Sequence, residues 1–120
     1  MPSNFISRLA PTPSGYLHFG NAFNFLLTYL LINFYDGVLH LRIDDLDGPR
    51  VDHKFVEDIF IQLEWLDIDY HFGPSGPDDL YSNFSQQLRK DIYFNAIEIL
   101  KKAGHLFACE CSRSKIRNSS

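Results

Sequence analysis

The chain has 120 residues, 45% of them hydrophobic and 15% aromatic, with a formal net charge of −4. That length holds one domain with a modest core, and the composition is too apolar for a disordered chain. Two cysteines, and an opening "MPSNFISRLA" with neither a basic region nor an apolar run, exclude a disulfide framework and a signal peptide and point to a reducing, cytoplasmic setting.

The charge is uneven. Residues 1–80 carry 4 Lys/Arg against 12 Asp/Glu (−8), and residues 81–120 carry 7 against 3 (+4). A basic C-terminal third can touch a phosphate backbone, or its cations can simply solvate a helix face.

In chain order, "NFISRLA" (4–10) is short, apolar and ended by Pro11, which predicts a buried strand. Pro11 and Pro13 then fix φ and impose a stiff, extended path, and Gly15 permits a turn. A helix is predicted from Phe19 or Gly20 to the stop at Asp36-Gly37, mostly apolar but with Asn21, Asn24 and Thr28 on one polar stripe. Its apolar run, residues 22–35, is too short and too interrupted to span a membrane. "VLHLRID" (38–44) predicts a second strand, so the first three elements form a βαβ unit with a parallel sheet and a right-handed crossover. Residues 52–68 predict an amphipathic helix, with Phe55, Ile59, Leu63 and Leu66 on its apolar face and Asp52 as N-cap. A Gly/Pro-rich loop covers 69–82. A second amphipathic helix is expected from Asn83 or Phe84 to Ala103, closed by Gly104. "HLFACEC" (105–111) reads as strand-like, with a further helix capped by Ser112. The fold class is α/β, helices on a parallel sheet.

Ligands of open parallel sheets sit beyond the carboxyl ends of the strands. The two strands empty into "PTPSGYLHFG" and "DDLDGPR", so these stretches are expected to meet over one crevice. His18 stands at the N-terminus of the first helix, where free N–H groups and the dipole attract phosphate oxygens. It can donate a hydrogen bond to charge developing on a phosphoryl group, or it can merely cap the helix. The three carboxylates of "IDDLD" (43–47) can hold an ammonium group or Mg2+, or can form a solvated turn. Arg8 can clamp a carboxylate in bidentate fashion or serve as salt-bridge partner to that cluster. Cys109 and Cys111 supply half of a tetrahedral zinc site, with His105 as a conceivable third ligand, or are two structural thiols.

Together, "RLAPTPSGYLHFGN" and "LRIDDLD" resemble the N-terminal half of the glutamyl/glutaminyl class I aminoacyl-tRNA synthetase catalytic core. That family's motifs read R-F-A-P-S-P-[ST]-G-x-L-H-[IVF]-G and R-I-E-D-x-D, and the resemblance runs from Arg8 to about Lys115. "LHFG", "DLDGPR" and "CECSR" are most similar to the glutamyl-queuosine branch, which attaches glutamate to a modified base of aspartate tRNA. The resemblance implies a Rossmann-like sheet with flanking helices, and a single, incomplete nucleotide-binding catalytic domain over 1–120. It implies ATP as substrate with Mg2+ and Zn2+, and glutamate and tRNA as partners, the tRNA being the queuosine-bearing aspartate tRNA. His18, Gly20 and Asn21 match the HIGH-type ATP signature, with Asn21 where its second histidine stands. Arg8, Ala10 and Thr12 match the glutamate site, and Asp44 matches the glutamate that holds the substrate α-ammonium group, one methylene shorter. Cys109 and Cys111 match two zinc ligands. The KMSKS-type loop is absent from this stretch, so a polypeptide carrying the C-terminal half is a further expected partner. A non-catalytic remnant with weak nucleotide binding, an N-terminal fragment of a standard glutamyl-tRNA synthetase, and a small zinc-linked interaction module are the competing readings.

Overall fold

A computed structural model describes residues 5–118 as two compact units, one reaching Arg89 and the other starting at Lys90. The first is built on the expected βαβ unit. Strand β1 (Ile6–Leu9) leads through the Pro-rich loop into helix α1 (Phe19–Phe34), which returns the chain to strand β2 (Val38–Leu41). The strands are parallel, with Ile6 opposite Val38 and Leu9 opposite Leu41. Asp36, not Gly37, takes the left-handed conformation that ends α1 (φ 50°). Gly37 is required for a different reason: a Cβ there would lie 2.6 Å from the Phe5 carbonyl oxygen.

Helix α2 (His53–Trp65) is capped as expected by Asp52, whose carboxylate accepts the Lys54 N–H at 3.1 Å. Its core face is Val56, Ile59 and Leu63; Phe55 leaves that stripe and packs edge-on against Tyr16, ring centroids 4.9 Å apart. Leu9, Phe25, Ile32, Leu39, Leu41 and Ile43 complete the core against α2, with Ile68 and Leu80.

Residues 70–73 run alongside the outer edge of β2, where His71 N–H donates to Leu39 O and Leu41 N–H to Phe72 O, each at 2.8 Å. The short helix α3 (Pro77–Asp79) continues into a π-helical turn, Leu80–Phe84, and a 3-10 turn, Gln86–Arg89.

In the second unit α4 spans Lys90–Lys102, so the helix expected from residue 83 begins seven residues later. Ser85 and Gln86 are held by a carboxylate far away in sequence, which keeps them out of a regular helix. The expected strand at 105–111 has no regular structure, since no second strand pairs with it among the described residues. Gly104 (φ +74°) closes α4, and Ser112 Oγ accepts the Lys115 N–H at the start of α5 (Arg113–Asn118). Among the described residues no helix is long and apolar enough to cross a membrane.

Candidate functional site

The Pro-rich stretch does not leave the sheet at Leu9. Leu9, Pro11 and Pro13 are buried, and Arg8, Ala10 and Thr12 between them are exposed. The same alternation runs along the second stretch, with Leu41, Ile43 and Asp45 buried, Arg42 exposed and Asp44 half-exposed. Backbone bonds carry the parallel register onward: Arg42 N–H donates to Leu9 O and Asp44 N–H to Pro11 O, both at 2.9 Å. Because side chains alternate across an extended backbone, Arg8, Ala10 and Thr12 share one face with Arg42 and Asp44. The two motifs therefore meet as expected, side by side.

Arg8 makes no ion pair among the described residues. The carboxylate cluster instead meets Arg42, whose guanidinium lies 4.0 Å from Asp44, a solvent-exposed contact worth little. Arg8, His40, Arg42 and Arg89 line an open groove of about 630 Å3 together with Phe72 and Phe84. No carboxylate lines it, so its charge suits an anion.

His18 caps α1. Its Nδ1 accepts the Gly20 N–H at 3.1 Å, and Asn21 Oδ1 accepts the His18 N–H at 3.1 Å, a closed capping box. With Nδ1 accepting, the ring proton sits on Nε2, which remains available as a donor. A Cβ at Gly20 would come within 3.1 Å of the imidazole. Capping and donation are thus compatible: one ring nitrogen serves each. Among the described residues no hydrogen bond or ion pair links this group to Arg8 or Asp44.

The three carboxylates of the second motif do not converge. Asp44 faces Arg42, Asp47 pairs with Arg50 at 3.5 Å, and Asp45 is buried and accepts from Ser85 Oγ and the Gln86 N–H. Gln87 Nε2 adds a bond to Asp45 O at 2.6 Å. A shared Mg2+ cage is therefore not formed by this cluster, and no group of three ligating side chains exists among the described residues. Burial, with the Asp45 charge adding to it, raises the neighbouring Tyr81 phenol above its ordinary value.

Asp45 is the anchor that sequence reasoning missed as such, because Ser85 lies 40 residues away. Asp58 is another: its carboxylate, on α2, accepts the Leu17 N–H and steadies the loop before His18. No local pattern points to either. Asp45→Ala is expected to lower stability by about 3 kcal/mol, because two buried donors lose their acceptor. Asp45→Asn, which keeps one acceptor, should lose less. Urea unfolding followed by circular dichroism checks this, and an alanine variant with an unchanged midpoint would refute the anchoring role.

Cys109 and Cys111 lie in the second unit as exposed, free thiols; the Cys111 N–H approaches Cys109 Sγ at 3.4 Å. His105 does not join them in a ligand group. Two thiols leave a tetrahedral zinc half-liganded, so the residues described do not fit a closed zinc site.

Comparison with known proteins gives one family. Residues 5–120 match the family model described as tRNA synthetases class I (E and Q), catalytic domain. The Glutamyl-Q tRNA(Asp) synthetase of Symbiobacterium thermophilum is 38% identical over 111 residues, 91% of this chain and 33% of that protein. The Glutamate--tRNA ligase 2 of Syntrophus aciditrophicus is 34% identical, over 91% of this chain and 22% of its own length. Among solved structures, the glutamate-tRNA synthetase of Elizabethkingia anophelis superposes with a TM-score of 0.65 at 33% identity, covering 81% of this chain and 19% of that one. The chain thus spans a third or less of the length of these relatives. The family model spans nearly the whole chain, and the chain belongs to the catalytic-domain family of the class I glutamyl and glutaminyl tRNA synthetases.

Proposed function

We propose that the chain supplies the ATP- and glutamate-binding half of a catalytic core that forms glutamyl-adenylate and passes the glutamyl group to tRNA, as a single, incomplete nucleotide-binding catalytic domain. The observation that carries this reading is the shared face of Arg8, Ala10, Thr12 and Asp44, held in register by the Asp44–Pro11 backbone bond next to the start of α1. Arg8 is free to clamp the side-chain carboxylate of glutamate, and Asp44 to hold its α-ammonium group. Ala10 and Thr12 line the space between them. His18 Nε2–H and the N-terminus of α1 face the α-phosphate as charge develops on it, with Gly20 letting the nucleotide approach and holding the imidazole by its N–H, and Asn21 holding the His18 backbone.

Glutamate oxygen attacks the α-phosphorus, the bond to the β-phosphate bridging oxygen breaks, and pyrophosphate leaves with the electron pair. Mg2+ would enter with ATP and offset its phosphate charge, since the divergent carboxylates among the described residues form no cage for it. No step is derived through zinc.

The motif details favour the branch that glutamylates the queuosine of aspartate tRNA, and the Symbiobacterium thermophilum relative bears that name. We place the protein in the cytoplasm, where the two exposed thiols stay reduced.

The test is an ATP-induced thermal shift. The wild-type chain is expected to be stabilised by ATP, following the usual mass-action linkage. Gly20→Val, whose side chain crowds His18, is expected to abolish that shift while keeping the helical circular dichroism signal. A folded variant that keeps the full shift would put the nucleotide elsewhere.

A further inference from the structure

Helix α2 meets the loop before α1 with residues one turn apart. Phe55 lies edge-on to Tyr16, and Asp58 Oδ2 accepts the Leu17 N–H at 3.3 Å. Among the described residues that is the one hydrogen bond made by residues 15–17. Gln62, a turn further along α2, donates from Nε2 to the other oxygen, Asp58 Oδ1, at 3.2 Å. Both donors are neutral, so α2 supplies the loop with a fixed oxygen rather than with a charge.

The capping box leaves the placement of the loop open. It joins His18 to Gly20 and Asn21, all at the start of α1, and so fixes the imidazole relative to that helix alone. The angle at which the chain enters a helix is set at the residue before the cap, here Leu17. Its side chain packs against the core and its N–H is held from α2, whereas Gly15 just upstream has open space around it. His18 itself is exposed and extended (φ −113°, ψ 172°), so the direction of its ring follows the peptide that precedes it.

We propose that Asp58 is a positioning residue: through the Leu17 N–H it sets where the His18 imidazole and its Nε2–H stand at the end of α1, and Gln62 holds it there. This deepens the proposed nucleotide site, on which the consequence for ATP binding rests; the positioning itself does not depend on ATP. An amide can replace the carboxylate. Asparagine at this position offers Oδ1 to Leu17 and turns Nδ2 to Gln62, whose own amide rotates to accept. Alanine offers no acceptor and, as the best helix former, leaves α2 intact.

Amide hydrogen exchange in the 120-residue chain reads the positioning. In Asp58→Ala the Leu17 and Gly20 amides are expected to exchange about tenfold faster, as for the loss of roughly one hydrogen bond, while the Phe25 and Ile59 amides keep their rates. In Asp58→Asn all four are expected to stay within about threefold of wild type. ATP affinity, titrated through the thermal shift, is expected to fall about tenfold in the alanine variant and to be restored by asparagine. Gln62→Ala, which releases the carboxylate without removing it, gives the same pattern at lower amplitude and stands in for the alanine variant if that one does not fold. Exchange that quickens at all four amides alike reports a general loss of stability and overturns the proposal. So do wild-type rates at Leu17 and Gly20 in Asp58→Ala, or an asparagine variant as impaired as the alanine one. A wild-type chain without an ATP-induced shift removes the nucleotide site alone, and the exchange rates still decide the positioning.

Discussion

Replacing Gly73 with alanine is expected to lower the stability of the first unit by about 4 kcal/mol, the sum of a forbidden backbone conformation and a direct clash. Gly73 sits at φ +140°, and a Cβ there would lie 2.4 Å from the Leu41 carbonyl oxygen and 2.9 Å from the Leu41 Cβ. Leu41 cannot yield, being buried in the core on β2 and bonded through its own N–H to Phe72 O. Relief therefore requires residues 71–73 to peel from the sheet, which also breaks the His71–Leu39 bonds: His71 N–H to Leu39 O, and Leu39 N–H to His71 Nδ1 at 3.1 Å. Gly76→Ala is the control. It has nothing within 4 Å of the added carbon and an extended backbone, so its cost should stay within about 0.5 kcal/mol. Urea midpoints of the two variants measure the difference, and equal midpoints would show that residues 71–73 do not brace β2.

What was legible in the sequence is what local chemistry dictates. The Asp52 cap, the Gly104 stop and the Ser112 cap each act within a few residues, and each is where the pattern put it. The Pro-rich stretch was legible for the same reason: two fixed φ angles keep the chain extended, and alternation then decides which side Arg8, Ala10 and Thr12 occupy. His18 was legible as a position but ambiguous as a role, and the structure shows the capping role, carried by Nδ1, with Nε2 left outside the cap. Long-range partners left no trace. Asp45 looked like one of three equivalent carboxylates, yet its bonds to Ser85 and Gln86 set it apart and delay the start of α4. Nor does an apolar segment such as 105–111 become a strand without a neighbour to pair with.

A polypeptide of these 120 residues is expected to bind ATP without catalysing glutamate-dependent ATP–pyrophosphate exchange at more than a trace rate. The transition state spreads negative charge over the phosphorus under attack and over the pyrophosphate that leaves. In the proposed reading, His18 Nε2–H and the positive end of the α1 dipole lie together at one helix end and reach the first of these centres only. The basic residues Lys115 and Arg117 of α5 lack the lysine-rich loop pattern that the family resemblance calls for. Losing one preorganised donor costs roughly 100- to 1000-fold in rate, and an entire loop of donors is at stake. Labelled pyrophosphate incorporation into ATP, measured with and without glutamate, gives the rate directly. In a chimera in which these 120 residues replace the matched 111 residues of the Symbiobacterium relative, exchange is expected to return, and Arg8→Ala in that background should then remove it by weakening the hold on the glutamate side chain. Vigorous exchange by the isolated 120 residues would mean that groups already on this chain cover the leaving pyrophosphate, and Lys115 would be the first of them to replace.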